Sequence, residues 1–347
     1  MNIAVTGYGL VTAVGFNAAT TLSAIRAGVS GIGQVNLWDY ETGEYISGGR
    51  VLLPQWWESV DKLADLVSPA IQECYAAARP FEPKQIPILL GLPGPDRPRR
   101  PADLERQVFE LVNQRLDGRV CSESVAIPRT QVSALAGLRE AERLLASGRF
   151  PACIVAGVDS FLDRWVAREY FKKRRLLTAA NSNGFNPGEA GTAVLVQRSD
   201  LAAKGSLEVL SLGFGRERGT IESDEPLQGD GLTNAVRDAL RGAGISIFDA
   251  AYRITDLNGE QYKFKEAMIA VMRSTQGTRR WSRLFELWHP IEYIGEVGAA
   301  IGPLALALAL HAGRKGYAPG PIALLHFSND DGERAAAVVR CEAPEAH

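Results

Sequence analysis

The stretch PRTQVSALAGLREAERLLASGRFPACIVAGVDS, residues 128–160, decides the fold of this chain. It predicts a tight turn, a helix of about 16 residues, a stop at Gly148 and a buried strand over residues 152–157. Apolar residues recur in the helix at intervals of three and four, which gives it one buried face. The strand is an unbroken apolar run, as is typical of a parallel sheet covered on both faces. We therefore predict an α/β protein built around this helix and strand.

The rest of the chain repeats the alternation of strands and helices. Each half carries the same order of elements and ends in two strands, which suggests an internal duplication. We place the halves at residues 1–200 and 201–347. Residues 33–60 show no clear periodicity and are predicted to be irregular.

Composition excludes several classes of function. The chain has 347 residues, of which 46% are hydrophobic and 22% charged, enough for a large globular core. A net charge of -2 argues against a general nucleic-acid or membrane-surface binder. No long apolar run or export signal is visible, so we expect a cytoplasmic protein that does not bind membranes. The four cysteines are widely spaced, and we expect no disulfide framework, no metal and no cofactor.

The first strand is followed by a Gly7-x-Gly9 pattern, which also occurs in dinucleotide-binding folds. The third glycine of that fingerprint is missing, and no acidic residue follows at the end of a second strand about 20 residues later. A nucleotide site is therefore disfavoured.

The decisive stretch resembles the nucleophile helix of the β-ketoacyl synthases, condensing enzymes of the thiolase superfamily, in which the catalytic cysteine begins the helix. Counted back from Gly148, the cysteine position is Gln131. The segments TGYGLVTAVG, residues 6–15, and FNPGEAG, residues 185–191, are similar to further ketosynthase motifs. The resemblance spans nearly the whole chain. It implies a thiolase-like fold, with duplicated α/β halves in a five-layer αβαβα arrangement.

Three further motifs of the family are altered here. Its first catalytic histidine corresponds to Asn258 in DLNGE, and its second corresponds to Glu296 in GEVGAAIG. Its final glycine-rich loop reads SNDDGE, residues 328–333, without the family's phenylalanine and flexible glycines. The degenerate triad positions are thus Gln131, Asn258 and Glu296. The remaining pocket candidates are Asn329, Asp330 and His326.

These substitutions remove the chemistry that condensation needs. A primary amide at Gln131 cannot form the acyl-enzyme that a thiolate forms. The amide of Asn258 can donate a hydrogen bond but cannot carry the positive charge of an imidazolium. A carboxylate at Glu296 would repel an enolate. We therefore expect no condensing activity.

The resemblance then implies a non-catalytic subunit. Chain-length-factor subunits of polyketide synthases are similar in having glutamine for cysteine, and they pair with an active ketosynthase. We expect a homodimer, or a heterodimer with a ketosynthase-like subunit, formed through the strand that precedes Gln131. The basic run of residues 172–175 would receive an acyl carrier protein, or it is a solvated face. The arginines of the proline-rich loop, residues 93–101, would meet an acidic partner or lie in solvent.

Two alternatives remain open. The chain would be a scaffold or adaptor for a cargo protein, such as a bacterial secretion-system effector, which should leave an exposed apolar patch away from the dimer face. It would otherwise be a malonyl-thioester decarboxylase or a divergent acyltransferase, in which the Gln131 amide mimics an acyl group.

Overall fold

The computed structural model describes residues 2–54, 57–275 and 285–342. Its strands, in chain order, are β1 (Ile3–Val11), β2 (Ile32–Asp39), β3 (Glu44–Gly49), β4 (Ile88–Gly91), β5 (Val125–Ile127), β6 (Cys153–Ser160), β7 (Glu189–Arg198), β8 (Leu207–Arg216), β9 (Tyr252–Thr255), β10 (Glu286–Trp288), β11 (Ile322–Ser328) and β12 (Glu333–Cys341). Its α-helices are α1 (Ala18–Arg26), α2 (Val60–Ala77), α3 (Leu104–Arg115), α4 (Ser133–Ala146), α5 (Arg164–Lys172), α6 (Asp230–Ala243), α7 (Gln261–Ser274), α8 (Ile291–Ile294) and α9 (Ile301–Arg314).

Ten of the twelve described strands form one sheet made of two groups of five with the same internal order, and β2 and β3 form a separate pair. The first group runs β5-β4-β6-β7-β1, and the second runs β10-β9-β11-β12-β8. In each group the three strands at the outer end are parallel and the remaining pairings are antiparallel. The groups join where residues 3–5 of β1 pair with residues 207–209 of β8. The chain therefore folds as two copies of one α/β pattern.

Helices occupy three layers around these strands. The central layer holds α4 and α9, which contact strands of both groups. A cluster of buried apolar side chains from these helices and both strand groups forms the main core. Helices α2 and α3 cover the outer face of the first group, and α6 and α7 cover that of the second. Gly302 lets the central helices approach, since a Cβ there would lie 2.4 Å from the Ala134 Cβ.

The decisive stretch folds nearly as its pattern predicts. Helix α4 begins at Ser133, after a 3₁₀ turn over Thr130–Val132, and its apolar stripe lies in the main core. The helix ends where Gly148 adopts a positive φ of 70°, a conformation that glycine reaches without strain. The strand β6 is buried along nearly its whole length, as its apolar composition requires.

The prediction that residues 33–60 are irregular was wrong. The strands β2 and β3 form an antiparallel hairpin, in which the Trp38 and Tyr45 rings pack edge to face with centroids 4.8 Å apart. Val35 and Leu37 alternate with exposed residues and are buried. The sequence hid this alternation because an apolar residue, Trp38, occupies an exposed position and a charged residue, Asp39, occupies a buried one.

In the part of the chain that the structure describes, no helix is both long enough and apolar enough to span a membrane.

Candidate functional site

The site lies where the two central helices begin. Each helix follows a 3₁₀ turn, Thr130–Val132 before α4 and Gly298–Ala300 before α9, and the two turns are in contact. Thr130 has a φ of 42°, which is strained for a β-branched residue. Its backbone N–H donates to the Leu92 carbonyl at 3.1 Å, and its Oγ1 accepts from the Gly94 N–H at 2.8 Å. These bonds fix the turn that carries Gln131.

The structure brings together the three side chains that the sequence comparison aligned with the triad positions of the β-ketoacyl synthases. The Gln131 Nε2 lies 3.4 Å from the Glu296 Oε1, and the Asn258 Nδ2 donates to the Glu296 Oε2 at 2.8 Å. The Gly298 N–H also donates to the Glu296 Oε1 at 2.9 Å, so the turn before α9 helps to hold this carboxylate. All three side chains are buried. The two amides therefore act as donors to one buried carboxylate.

Asn329, which belongs to the other half of the chain, makes hydrogen bonds to the turn before α4. Its Oδ1 accepts from the Val132 N–H at 3.2 Å, and its Nδ2 donates to the Arg129 carbonyl at 2.8 Å. The side chain thus satisfies a backbone donor at a helix start, where donors otherwise lack partners. This bonding places Asn329 beside Gln131.

A buried lysine lies behind the carboxylate. The Lys263 Nζ donates to the Asp256 Oδ2 at 2.7 Å and lies 3.8 Å from the Glu296 Oε2. Burial alone would lower the Lys263 pKa, but the two carboxylates outweigh it and raise that pKa above its ordinary value. Lys263 therefore stays charged and balances the buried anions.

Two buried arginines complete this ionic network. The Arg175 guanidinium binds Glu260 at 2.7 and 2.9 Å and Asp330 at 2.7 and 3.1 Å. Burial opposes ionisation of Asp330, but Arg175 prevails and lowers its pKa to about 2. The Arg334 Nε donates to the Glu266 Oε1 at 2.6 Å, and both side chains are fully buried. Sequence reasoning missed these cations, and it wrongly grouped Arg175 with an exposed basic face.

A cavity of about 290 Å³ opens at Gln131. Asn329 and Asp330 also line it, whereas Asn258 and Glu296 are not part of its wall. The other residues that line it are Gly94, Asp96, Arg97, Pro98, Thr130, Tyr170, Lys173, Thr220, Glu222, Ser223 and Asp331. Among the described residues, no cysteine or histidine borders this cavity. The described residues of its wall offer amides, hydroxyls, carboxylates and the cations of Arg97 and Lys173 for hydrogen bonding, but no thiol.

His326 does not line the cavity. It shares the outer face of β11 with Leu324, which packs in the cluster of α6 and α7, whereas Leu325 and Phe327 face the central helices. Burial, with help from Arg253, lowers the His326 pKa to about 3. The side chain is therefore neutral at physiological pH and is separated from Gln131 by its own strand.

Arg97, which lines the cavity, belongs to a buried ion pair. Arg97 was predicted in a loop exposed to solvent or to an acidic partner, yet its side chain is buried. Its Nη2 donates to the Asp159 Oδ1 at 2.5 Å, and its guanidinium lies 3.4 Å from the centre of the Phe161 ring. Burial raises the Asp159 pKa to about 6, although Arg97 opposes that shift.

No protein-family model matches the chain. Solved structures match it along almost its full length. A type II polyketide synthase ketosynthase, solved with its acyl-carrier protein and bound to the hexaketide, matches with a TM-score of 0.80 and 15% identity over 98% of this chain and 99% of that one. The chain adopts the ketosynthase fold. The thiolase-like, five-layer architecture predicted from the sequence is thereby confirmed.

Other similar proteins point the same way. The ishigamide ketosynthase/chain length factor matches with a TM-score of 0.67 and 20% identity over 99% of this chain and 100% of that one. A ketosynthase in complex with its chain length factor, from Xenorhabdus doucetiae, matches with a TM-score of 0.76 and 15% identity over 98% of both chains. In sequence, a partially reducing polyketide synthase of Talaromyces stipitatus is 26% identical over 219 residues. That alignment takes in 59% of this chain, which spans only 8% of the synthase.

Proposed function

We propose that this chain is a non-catalytic ketosynthase-like subunit, which pairs with a ketosynthase-like partner in fatty-acid or polyketide-type assembly. One observation carries the proposal: an amide, Gln131, lies in the turn that precedes α4 and faces the buried carboxylate of Glu296. An amide nitrogen is not nucleophilic, so the acyl-enzyme of a condensing reaction does not form.

The surroundings of Gln131 also disfavour the other step of condensation, in which the malonyl group loses carbon dioxide and an enolate forms. An enolate forming about 5 Å from the Glu296 carboxylate would meet a repulsion of about 3 kcal/mol at an effective dielectric constant of about 20. Lys263 offsets only part of this, because its Nζ is bonded to Asp256. The same repulsion argues against a malonyl-thioester decarboxylase.

An edge of β5 that no other described strand covers supports the pairing with a partner. The strand β5 ends the sheet and pairs with β4 on one side, and Val125 is 42% exposed. An exposed strand edge can extend its sheet with a strand of another subunit. This edge lies four residues before Gln131, so a partner bound there would sit close to the cavity.

The basic residues near the cavity support contact with an acyl carrier protein. Lys172, Lys173 and Arg174 are exposed, and Lys173 borders the cavity. Each pairs with a glutamate at 2.6 to 3.0 Å. Exposed pairs of this kind are worth only about 0–1 kcal/mol, so an acidic partner would displace them at little cost.

Native mass spectrometry tests the assembly. The purified chain is measured alone and mixed with a ketosynthase of the same organism. We expect a dimer of one kind or the other, which Val125→Lys disrupts because it places a charge on the β5 edge. The matched control is Val29→Lys, at a residue that is 52% exposed and lies away from β5. A chain that stays monomeric both alone and in the mixture would refute the partner role.

One surface favours the adaptor alternative. At the end of the hairpin, Trp38, Tyr40 and Tyr45 are 40%, 92% and 47% exposed, and such aromatic side chains are frequent binding hot spots. A cargo protein bound there would be released by Tyr40→Ser with Tyr45→Ser, while the β5 assembly would be unchanged. Loss of the dimer in that double variant would instead place the hairpin in the dimer interface.

A further inference from the structure

A cavity unrelated to the Gln131 site lies near β10, the strand that ends the second group. It has a volume of about 370 Å³ and is bounded by the end of α1, by β10 and α8, and by Leu308 of α9. Its lining shares no residue with that of the cavity at Gln131. The volume falls within the range of about 300–1,000 Å³ that is usual for small-molecule sites.

Aromatic rings form much of the wall of this cavity. Trp288, Tyr293 and Tyr317 all line it. The Trp288 ring packs on the buried Tyr252, with ring centres 4.6 Å apart, and its Nε1 donates to the Glu286 Oε1 at 2.8 Å. These contacts hold the indole in one position. The wall therefore offers a preformed ring surface to a flat aromatic ligand.

The α1 side of the cavity carries a cation. The Arg26 guanidinium carbon lies 4.3 Å from the centre of the Tyr317 ring, a contact that holds the side chain at the wall. Within residues 2–54, 57–275 and 285–342, no carboxylate lies in salt-bridge contact with Arg26. Its donors are therefore available to a carboxylate of a ligand, which a guanidinium can bind through two parallel hydrogen bonds.

The α8 side of the cavity carries a carboxylate. Glu292 lines the cavity, and its side chain is 46% exposed. Its Oε1 lies 3.7 Å from the His289 Nδ1, and no lysine or arginine in the described part of the chain is in salt-bridge contact with it. Arg26 borders the same cavity without pairing with it. One cavity thus contains a cation and an anion that do not neutralise each other.

We propose that this cavity binds a free aromatic amino acid. The carboxylate of the amino acid pairs with Arg26, its ammonium group pairs with Glu292, and its ring lies against Trp288. A zwitterion supplies a counter-charge to both side chains, whereas a ligand with one charge would leave either Arg26 or Glu292 without one. No covalent bond is made or broken. This proposal stands independently of the proposed function.

Saturation-transfer-difference NMR with three indole ligands tests the assignment. Tryptophan carries both charges, tryptamine lacks the carboxylate, and indole-3-propionate lacks the ammonium group. We expect tryptophan to bind with a dissociation constant on the order of 1 mM, as is usual for a ligand of its size. Each analogue should bind about tenfold more weakly, because one charged hydrogen bond is lost. Equal affinity for tryptophan and either analogue, or no tryptophan binding at about 10 mM, would overturn the proposal.

Two variants assign each charge of the ligand to its side chain. Arg26→Gln should weaken tryptophan binding about tenfold without weakening that of tryptamine, which has no carboxylate. Glu292→Gln should weaken tryptophan binding by a similar factor without weakening that of indole-3-propionate, which has no ammonium group. The matched controls Arg143→Gln and Glu110→Gln make the same charge changes on exposed residues elsewhere and should leave all three affinities unchanged.

Thermal unfolding of each variant is measured first. Unchanged tryptophan affinity in both cavity variants, with the fold intact, would contradict the assignment. If either variant fails to fold, the comparison of the three ligands on the wild-type chain still decides between a zwitterion and an ion of one sign.

Discussion

A cysteine substituted for Gln131, in the turn that precedes α4, should be an unreactive thiol. In Gln131→Cys the sulfur would lie about 5 Å from the Glu296 carboxylate, because the shorter side chain ends farther from Oε1 than the 3.4 Å of the glutamine nitrogen. At an effective dielectric constant of about 20, this repulsion between thiolate and carboxylate is about 3 kcal/mol. It would raise the cysteine pKa by about 2 units above its ordinary value of about 8.5.

The alkylation rate with iodoacetamide, followed by intact-protein mass spectrometry against pH, measures that thiol pKa. Adding Glu296→Gln to Gln131→Cys should increase the rate at pH 8 between about tenfold and a hundredfold, since the thiolate is the reactive form. Lys263 keeps its bond to Asp256 in that variant, so no buried cation loses its only partner. The variant Gln131→Ser measures the background alkylation of the four native cysteines. We expect this background to be slow because all four are buried. The same thiol pKa with and without Glu296 would refute the electrostatic account of the site.

Three further predictions concern the network around the site. Gly298→Ala should lower the free energy of unfolding in urea by about 2 kcal/mol or more, because a Cβ there would lie 1.9 Å from the Asp159 Oδ2 and the backbone has a φ of 49°. The control Gly33→Ala, at a position where a Cβ would meet nothing, should change that free energy by less than about 1 kcal/mol. Arg334→Met should lower the free energy of unfolding by about 3–5 kcal/mol, because it leaves Glu266 buried without its cation. Adding Glu266→Leu should recover part of that free energy. Equal losses in the single and the double variant would contradict the pairing. Asp330 has a folded-state pKa of about 2, below its ordinary value of 3.8, so its ionised form stabilises the fold above pH 4 and that contribution is lost as the pH falls towards 2. The stability difference between the wild type and Asp330→Asn, about 1 kcal/mol at pH 7 after solvent screening, should therefore vanish below pH 2, and a difference that persists there would rule out this linkage.

The sequence predicted the elements whose periodicity is simple. The stripe from Val132 to Leu145 marked α4, and the apolar run at residues 152–157 marked β6, since each element buries one well-defined face or both faces. The positions of Gln131, Asn258 and Glu296 followed from their spacing to glycines in the motifs. The structure places these three side chains next to one another, although their roles remain predictions.

The buried cations were beyond the reach of sequence patterns. Lys263 and Arg334 lie in segments where charged residues are normally exposed, and only the fold brings Asp256 and Glu266 to them. Arg175 follows three exposed basic residues in sequence, yet it turns inward to bind Glu260 and Asp330. A run of basic residues in the sequence does not reveal which of them will pair with a buried carboxylate from another part of the chain.

The cavity wall was only partly predictable for the same reason. Asn329 and Asp330 were proposed from the degenerate glycine-rich loop, and both border the cavity. His326 was proposed because it is near that loop in sequence. The two-residue alternation of β11 turns its side chain to the opposite face of the sheet.

The most direct test of the central claim offers the chain malonyl and acyl thioesters of N-acetylcysteamine. Carbon dioxide release and the intact protein mass are followed together. The account predicts no release above the uncatalysed rate and no acyl adduct, because an amide faces a buried carboxylate where the family has its nucleophile. An acyl adduct, or carbon dioxide release that disappears in Asn258→Ala, would contradict it and make this chain an enzyme.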